Sequence, residues 1–247
     1  MARSVVITGG TRGLGAVIAS RFLAVGDRVA TIARQPPTFA DGPLGEDRPV
    51  ENQLFLAADV TRVDELRGAR DEVIRRWGRI DLWINNAGYG RLVPFVDGDE
   101  SEWARMIDVN FWGVVHGCRL AIESMRSDAE GGAIINIASL AGMMAPRQHS
   151  AYAVSKAAVI ALTRSLAVEF AAEGVRVNAI APGPLDTEGF RAAGGDPQKR
   201  AATIPTRRMV QPDEVAEACL FLAAPLASMT GATLLLDGGS MAAGCYV

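Results

Sequence analysis

Short aliphatic and β-branched runs alternate along the chain with longer stretches whose apolar residues return every three or four positions. SVVIT (4–8), RVATIA (28–33), LFLAA (54–58), DLWIN (81–85), AIINIAS (133–139), the run opening with VRVNAI (175–180) and TLLLDGG (233–239) predict strands. Helical spacing predicts helices in AVIASRFLAVG (16–26), in an amphipathic segment ending near Trp77, from Glu100 to Met125, and in AYAVSKAAVIALTRSLAVEFA (151–171). A further helix opens at Gln211-Pro212-Asp213-Glu214, with proline at an early position and acids in the first turn. Strands alternating with helices throughout predict an α/β fold, a doubly wound, Rossmann-like parallel sheet in a single domain. Two stretches show no period. Residues 35–53 hold four prolines and two glycines and predict a surface loop, and residues 188–206, irregular and mixed, suit a substrate-covering lid.

Composition narrows the class. With 247 residues and 49% hydrophobic content, the chain can bury a full core as one large domain. A formal charge of -3 argues against a nucleic-acid role. No run approaches the ~18 uninterrupted apolar residues of a membrane span, and MARSVVITGG leads straight into a strand with no secretory pattern, so the reading is a soluble cytoplasmic protein without membrane attachment. Cys118, Cys219 and Cys245 lie far apart without metal-ligand spacing and read as reduced thiols.

The first strand runs into GGTRGLG and then a helix. Gly9, Gly13 and Gly15 let the chain turn tightly and let a pyrophosphate approach the backbone, with the helix N-terminus supplying amide donors. The spacing Gly-x-x-x-Gly-x-Gly differs from the commonest dinucleotide fingerprint. At the end of the second strand, where an acid would mark NAD, no acid occurs from Arg28 to Ala40; Arg34 stands there instead, and Arg12 stands inside the glycine turn. Two guanidiniums suit a 2'-phosphate, so the expected cofactor is NADP(H). Asp59, followed by Val60, suits either the adenine amino group or, with Thr61, a helix cap. Asn85-Asn86-Ala87-Gly88 allows close approach to the adenine ribose, or simply makes a turn.

The catalytic candidates lie further on. Asn110 in mid-helix needs partners or a purpose, and Ser139 stands at the carboxyl end of the fifth strand, where open α/β sheets bind ligands. Tyr152 and Lys156 sit one turn apart on one helix face. Only Lys156 and Lys199 are lysines, and only three residues are tyrosines, so this spacing is a poor candidate for coincidence. An unperturbed phenol titrates near ~10, and a neighbouring ammonium makes it a better proton donor and acceptor near neutrality. A fall of about three units takes roughly 4 kcal/mol, more than an exposed pair supplies but within reach of a desolvated pair beside a charged cofactor. After the sixth strand a Pro182-Gly183 turn leads to Leu185 and Thr187, the latter suited to the nicotinamide carboxamide.

TGGTRGLG at 8–15, Asp59-Val60, NNAG at 85–88, Asn110, Ser139, YAVSK at 152–156, PGPLDT at 182–187 and DGG at 237–239 occur in one order over nearly the whole chain. In these motifs the chain resembles the short-chain dehydrogenase/reductase family, in its branch of roughly 250 residues. The resemblance implies a cofactor half over roughly residues 1–130 and a catalytic and substrate half over 131–247. It implies that Ser139 holds a substrate carbonyl, Tyr152 donates the proton, Lys156 binds the nicotinamide ribose and lowers the Tyr pKa, and Asn110 keeps a water in the proton path. Cofactor contacts are implied for Gly9, Thr11, Arg12, Gly13, Leu14, Gly15, Arg34, Asp59, Val60, Asn86, Ala87, Gly88, Tyr152, Lys156, Pro182, Gly183, Leu185 and Thr187. Ser139, Tyr152 and His149 would meet the substrate, a small ketone or secondary alcohol, with no metal, in a homotetramer or dimer. Met143, Met144 and Arg147 fall with His149 where family members line the substrate pocket; His149 is equally readable as an exposed loop residue, and the two methionines hint at an adaptable apolar pocket.

Carrier-protein β-ketoacyl reductases of the family often carry basic residues where this chain has Glu130 and Glu173, which makes a carrier-bound 3-oxoacyl substrate the alternative rather than the first reading. A second alternative is a non-catalytic NADPH-binding sensor, since fold does not fix function; the intact Asn, Ser, Tyr and Lys set argues against it. Sugar-nucleotide epimerases and dehydratases of related fold are longer.

Overall fold

In the computed structural model, which describes residues 2–36, 50–126, 130–144, 147–187, 190–191, 194–225 and 228–244, seven strands form one parallel sheet. They are β1 (Ser4–Thr8), β2 (Arg28–Ala33), β3 (Gln53–Ala57), β4 (Leu82–Asn85), β5 (Gly132–Ile137), β6 (Val175–Pro182) and β7 (Thr233–Leu236), in the spatial order β3-β2-β1-β4-β5-β6-β7. The helices are α1 (Gly13–Ala24), α2 (Val63–Trp77), α3 (Glu100–Ile107), α4 (Gly113–Met125), α5 (Ser150–Phe170), α6 (Pro197–Ala202) and α7 (Pro212–Ala223). β1 pairs with β2 on one side and β4 on the other, so the chain changes direction across the sheet there. A crevice opens outside the carboxyl ends of the strands at such a reversal.

Successive side chains of a strand point to opposite faces, and β1 feeds two cores in this way. Val5 and Ile7 pack with Ile18 and Phe22 of α1 and Val215 and Leu222 of α7. Val6 joins the other layer, with Leu66 of α2, Leu120 of α4 and Val159 of α5. Each such side chain contributes about 1.5–3 kcal/mol when fully buried, which is why runs as short as SVVIT hold their places. The segment Ser150–Glu173, built on α5, is among the described residues the one helix long and apolar enough by composition to cross a membrane. It carries buried Ser155, Lys156 and Thr163, and packs Val159 and Ala167 into the core.

A polar ladder runs through that layer. Trp83 Nε1 donates to Asn85 Oδ1 (2.8 Å), Asn85 Nδ2 to Asn136 Oδ1 (2.8 Å), Asn136 Nδ2 to Thr163 Oγ1 (2.9 Å), and Thr163 Oγ1 to the Val159 carbonyl (2.8 Å). Every member is fully or nearly fully buried, and the ladder ties β4 and β5 to α5.

Several expectations are corrected. Glu100–Met125 is not one regular helix: α3 and α4 are separated by a π-helical turn, Asp108–Trp112, centred on Asn110. Neither Asp59 nor Thr61 caps α2; its N-cap is Arg62 without a side-chain bond. The Asp59 carboxylate instead accepts from Thr61 N (2.9 Å) and Thr61 Oγ1 (2.8 Å), while Glu65 reaches back to Asp59 N (2.8 Å). Of the stretch 188–206, residues 188–189 and 192–193 lie outside the described residues, and the rest is not irregular throughout, because α6 occupies 197–202, with the Asp196 carboxylate accepting from Gln198 N and Lys199 N and proline at its start. The surface loop read over 35–53 ends sooner, in a 3-10 turn Val50–Asn52 and the first residue of β3; residues 37–49 within it, and Cys245, lie outside the described residues.

Candidate active site

The glycine turn is held by close packing. Gly9 has a positive φ of 65°, and a Cβ there would stand 2.9 Å from Ala87 Cα; a Cβ on Gly15 would overlap the Gly9 carbonyl oxygen. Asn86 and Ala87 staple the turn to β4. Their N–H groups both donate to Thr8 Oγ1 (3.1 Å each), and Asn86 Nδ2 donates to the carbonyls of Thr8 (3.0 Å) and Gly9 (3.1 Å). α1 starts without a side-chain cap and without an acid in its first turn, so its leading amides face the cleft with the positive end of the helix dipole. A backbone cradle of this kind accepts a pyrophosphate.

Gly9, Thr11, Arg12, Gly13, Leu14, Gly15, Arg34, Asp59, Val60, Asn86, Ala87 and Gly88 all line one open cleft of about 2840 Å³. So do Ser139, His149, Tyr152, Lys156, Pro182, Gly183, Leu185 and Thr187. Every expected site residue but Asn110, which lies buried just beneath, therefore stands on a single groove. Arg12 and Arg34 are exposed at its outer end, and neither pairs with a carboxylate among the described residues. Met143 and Met144 are not among the residues lining this cleft; they follow a 3-10 turn, Leu140–Gly142, and both N–H groups return to the Leu140 carbonyl (2.9 Å).

At the inner end, Lys156 is 3% exposed and its Nζ donates to the Ile137 carbonyl (2.9 Å). Burial pushes its pKa from the ordinary 10.5 down to about 8. The ammonium lies 5.7 Å from the centre of the Tyr152 ring, and a Cβ on Gly88 would be 3.6 Å from both Lys156 Nζ and Asn110 Oδ1, so these groups share one small volume. Asn110 is wholly buried. Its Oδ1 accepts from Tyr89 N (2.7 Å), and its Nδ2 donates to the Tyr89 carbonyl (2.7 Å) and to Ser155 Oγ (3.1 Å), which in turn donates to the Tyr152 carbonyl (2.7 Å). Ser139 stands two residues past β5, and its Oγ accepts from Ala141 N (3.1 Å), which leaves its proton free to point outward. His149 precedes α5; its ring meets that of Tyr152 edge-on at 6.3 Å and its Nδ1 lies 2.8 Å from the Arg147 carbonyl.

Thr8, Tyr89, Gly90, Ser155 and the Ile137 carbonyl also hold this site together, and sequence reasoning passed over them as individual participants. A Cβ on Gly90 would lie 3.3 Å from the Tyr152 ring. Backbone contacts of this sort carry no residue-type signal, although Thr8 opens the glycine motif and Ser155 sits inside YAVSK.

Comparisons with known proteins bear on the family and the fold. The family described as enoyl-(acyl carrier protein) reductase matches residues 9–241. The chain is 38% identical over 245 residues to 3beta-hydroxysteroid dehydrogenase 1 of Eggerthella lenta, covering 96% of this chain and 93% of that protein. It is 38% identical over 240 residues to D-threitol dehydrogenase of Mycolicibacterium smegmatis, covering 95% and 91%. Among solved structures, a Tyr-to-Phe variant of ElxO with NADPH bound superposes with a TM-score of 0.91 at 29% identity, covering 98% of this chain and 100% of that one.

Proposed function

The chain belongs to the short-chain dehydrogenase/reductase family, oxidoreductases acting on hydroxyl and carbonyl groups, and from that premise we propose that it is an NADPH-dependent ketoreductase whose proton donor is Tyr152. The observation that carries this reading is the buried Lys156 ammonium, held on the Ile137 carbonyl beside the Tyr152 phenol. NADP(H) fits the residues present: the Gly9–Gly15 turn leaves room for a pyrophosphate against the backbone, and Arg12 and Arg34, without a carboxylate partner among the described residues, suit a 2'-phosphate where the sequence from Arg28 to Ala40 has no acid to claim a ribose hydroxyl. When bound, the nicotinamide supplies or accepts the hydride.

The protein's own part is positioning and proton movement. As negative charge develops on the substrate oxygen, preorganised donors must meet it. Ser139 Oγ, already accepting from Ala141, offers its proton to that oxygen, and the Tyr152 hydroxyl transfers one. One N–H of Lys156 is used on Ile137; the remaining two serve the ribose and the phenolate that follows proton transfer. Both amide protons of Asn110 are used on Tyr89 and Ser155, so a water refilling the proton path would rest on the free lone pair of Oδ1 or on a carbonyl loosened by the π turn. Exposed Glu173 puts negative charge, and Glu130, partly neutralised by Arg79 at 2.7 Å, puts no basic group, where an acidic carrier would dock, which favours a free small molecule over a carrier-bound acyl group.

The test is NADPH oxidation by purified protein across cyclic, aromatic and β-keto substrates, with Tyr152→Phe as control. Turnover that disappears in the variant while NADPH binding persists is the expected result; near-full turnover by Tyr152→Phe would refute the assignment.

A further inference from the structure

The catalytic end of the cleft carries more positive charge than reduction of a neutral ketone requires. Arg91, Arg105 and Arg147 all line it. The Val93 N–H donates to the Gln148 carbonyl (3.0 Å), joining the segment after β4 to the segment before α5, and Gly90 lies against the Tyr152 ring, so Arg91 and Arg147 enter the same rim as the catalytic phenol. Gln148 holds this arrangement with a φ of 58°, in the left-handed region that glutamine seldom occupies.

Arg105 is pre-set from below. Its guanidinium lies 4.6 Å over the Tyr89 ring, whose hydroxyl is hydrogen-bonded to Glu102. A guanidinium stacked by its face keeps its N–H edge available for a carboxylate or phosphate. Arg91 is 3.4 Å from Glu102 and is partly neutralised. Arg105 and Arg147 have no carboxylate partner among the described residues, in contrast to Arg70, Arg75, Arg79 and Arg208, which all hold one. Of the carboxylates lining this end, Asp186 is engaged by Arg191 at 2.8 Å, and Asp213 opens α7.

We propose that the substrate is an anionic ketone, whose carboxylate or phosphate is held by Arg105 and Arg147 while its carbonyl faces Ser139 and Tyr152. This deepens the ketoreductase reading and rests on it for the position of the carbonyl. The probes are 4-acetylbenzoate, its methyl ester and 4-acetylphenyl phosphate, matched in shape around one ketone. Their affinities are measured by calorimetry on Tyr152→Phe protein loaded with NADPH, where no turnover interferes, and their kcat/KM on the wild type. The acid is expected to bind at least tenfold more tightly than the ester, with the advantage shrinking as salt rises. It should fall towards parity in an Arg105→Gln/Arg147→Gln protein and largely survive in the Arg105→Lys/Arg147→Lys protein. Tighter binding of the phosphate than of the benzoate assigns the site to phosphorylated ketones, and the reverse order assigns it to keto acids. Equal affinity for acid and ester, or an acid preference that persists in the double glutamine variant, overturns the proposal. Anion binding without wild-type turnover would leave the arginine site standing and remove the ketoreductase reading.

Discussion

Replacing Lys156 by methionine is expected to abolish turnover and yet to stabilise the cofactor-free protein, and the second effect is the sharper test. The ammonium is 3% exposed, and burial brings its pKa from 10.5 down to about 8. That fall, at about 1.36 kcal/mol per unit, means that folding disfavours the charged side chain by roughly 3 kcal/mol at neutral pH. Methionine fills similar space without charge but leaves the Ile137 carbonyl without its donor, a loss of about 1–2 kcal/mol. The variant should therefore be more stable by about 1–2 kcal/mol at pH 7. The pH dependence follows from the direction of the shift. The unfolded lysine keeps its proton up to about 10.5 and the folded one only to about 8, so between these values the unfolded state holds more protons and wild-type stability rises with pH. The advantage of the variant is thus full below about pH 8 and should vanish, then reverse, as pH approaches 10.5. Urea unfolding of both proteins at pH 7 and at pH 10 measures it. A variant less stable than wild type at pH 7, or a difference that does not change with pH, would refute the reasoning.

Other outcomes follow from neighbouring geometry. Arg34→Ala is expected to weaken NADPH binding by about 10–100-fold, the worth of one charge-assisted hydrogen bond, while leaving NADH affinity unchanged, as read by fluorescence titration; equal losses for both cofactors would place Arg34 away from the 2'-phosphate. Gly15→Ala should cost more than about 2 kcal/mol of stability, because the new Cβ overlaps the Gly9 carbonyl and lies 2.5 Å from Asn86 Nδ2. Gly88→Ala should stay within about 1 kcal/mol of wild type, since its nearest neighbours are at an ordinary 3.6 Å. Comparable melting losses in the two glycine variants would show that close packing of the turn is not what Gly15 provides.

Most of the architecture was legible because it rests on period and on glycine. The strand runs and the Tyr152–Lys156 pair are consequences of repeats of 2 and 3.6, and both stand as the sequence suggests. The π turn was not legible. DVNFW contains no breaker, and the distortion accompanies bonds from Asn110 to both backbone groups of Tyr89, 21 residues earlier. α6 was legible and overlooked: Asp196-Pro197 is an N-cap followed by proline at the first helical position, but six residues are too few to display a period. The cap offered as the alternative for Asp59 fails because Thr61 lies close enough to take both of its local bonds.

Lys156 needs a carbonyl at one place, and the polar ladder supplies the register that puts it there. Asn136 is the residue before Ile137 on β5, and Thr163 is seven residues, about two turns, beyond Lys156 on α5. Their 2.9 Å bond and the 2.9 Å bond from Lys156 to Ile137 therefore fasten the same strand to the same helix at two heights. Sliding α5 by one residue would turn its face by about 100° and carry Nζ away from the carbonyl. Asn136→Leu keeps the branching and the number of side-chain heavy atoms but leaves Asn85 Nδ2 with only the Cys118 sulfur (3.3 Å) among the described partners and removes the donor to Thr163. Stability is expected to fall by about 1–3 kcal/mol. If the ladder only stabilised the core, kcat would be unchanged in the folded fraction; if it sets the register, kcat falls and its pH profile shifts with Lys156, while KM for NADPH moves little. Restoring stability with a distant substitution and finding kcat fully recovered would leave the ladder a structural role alone.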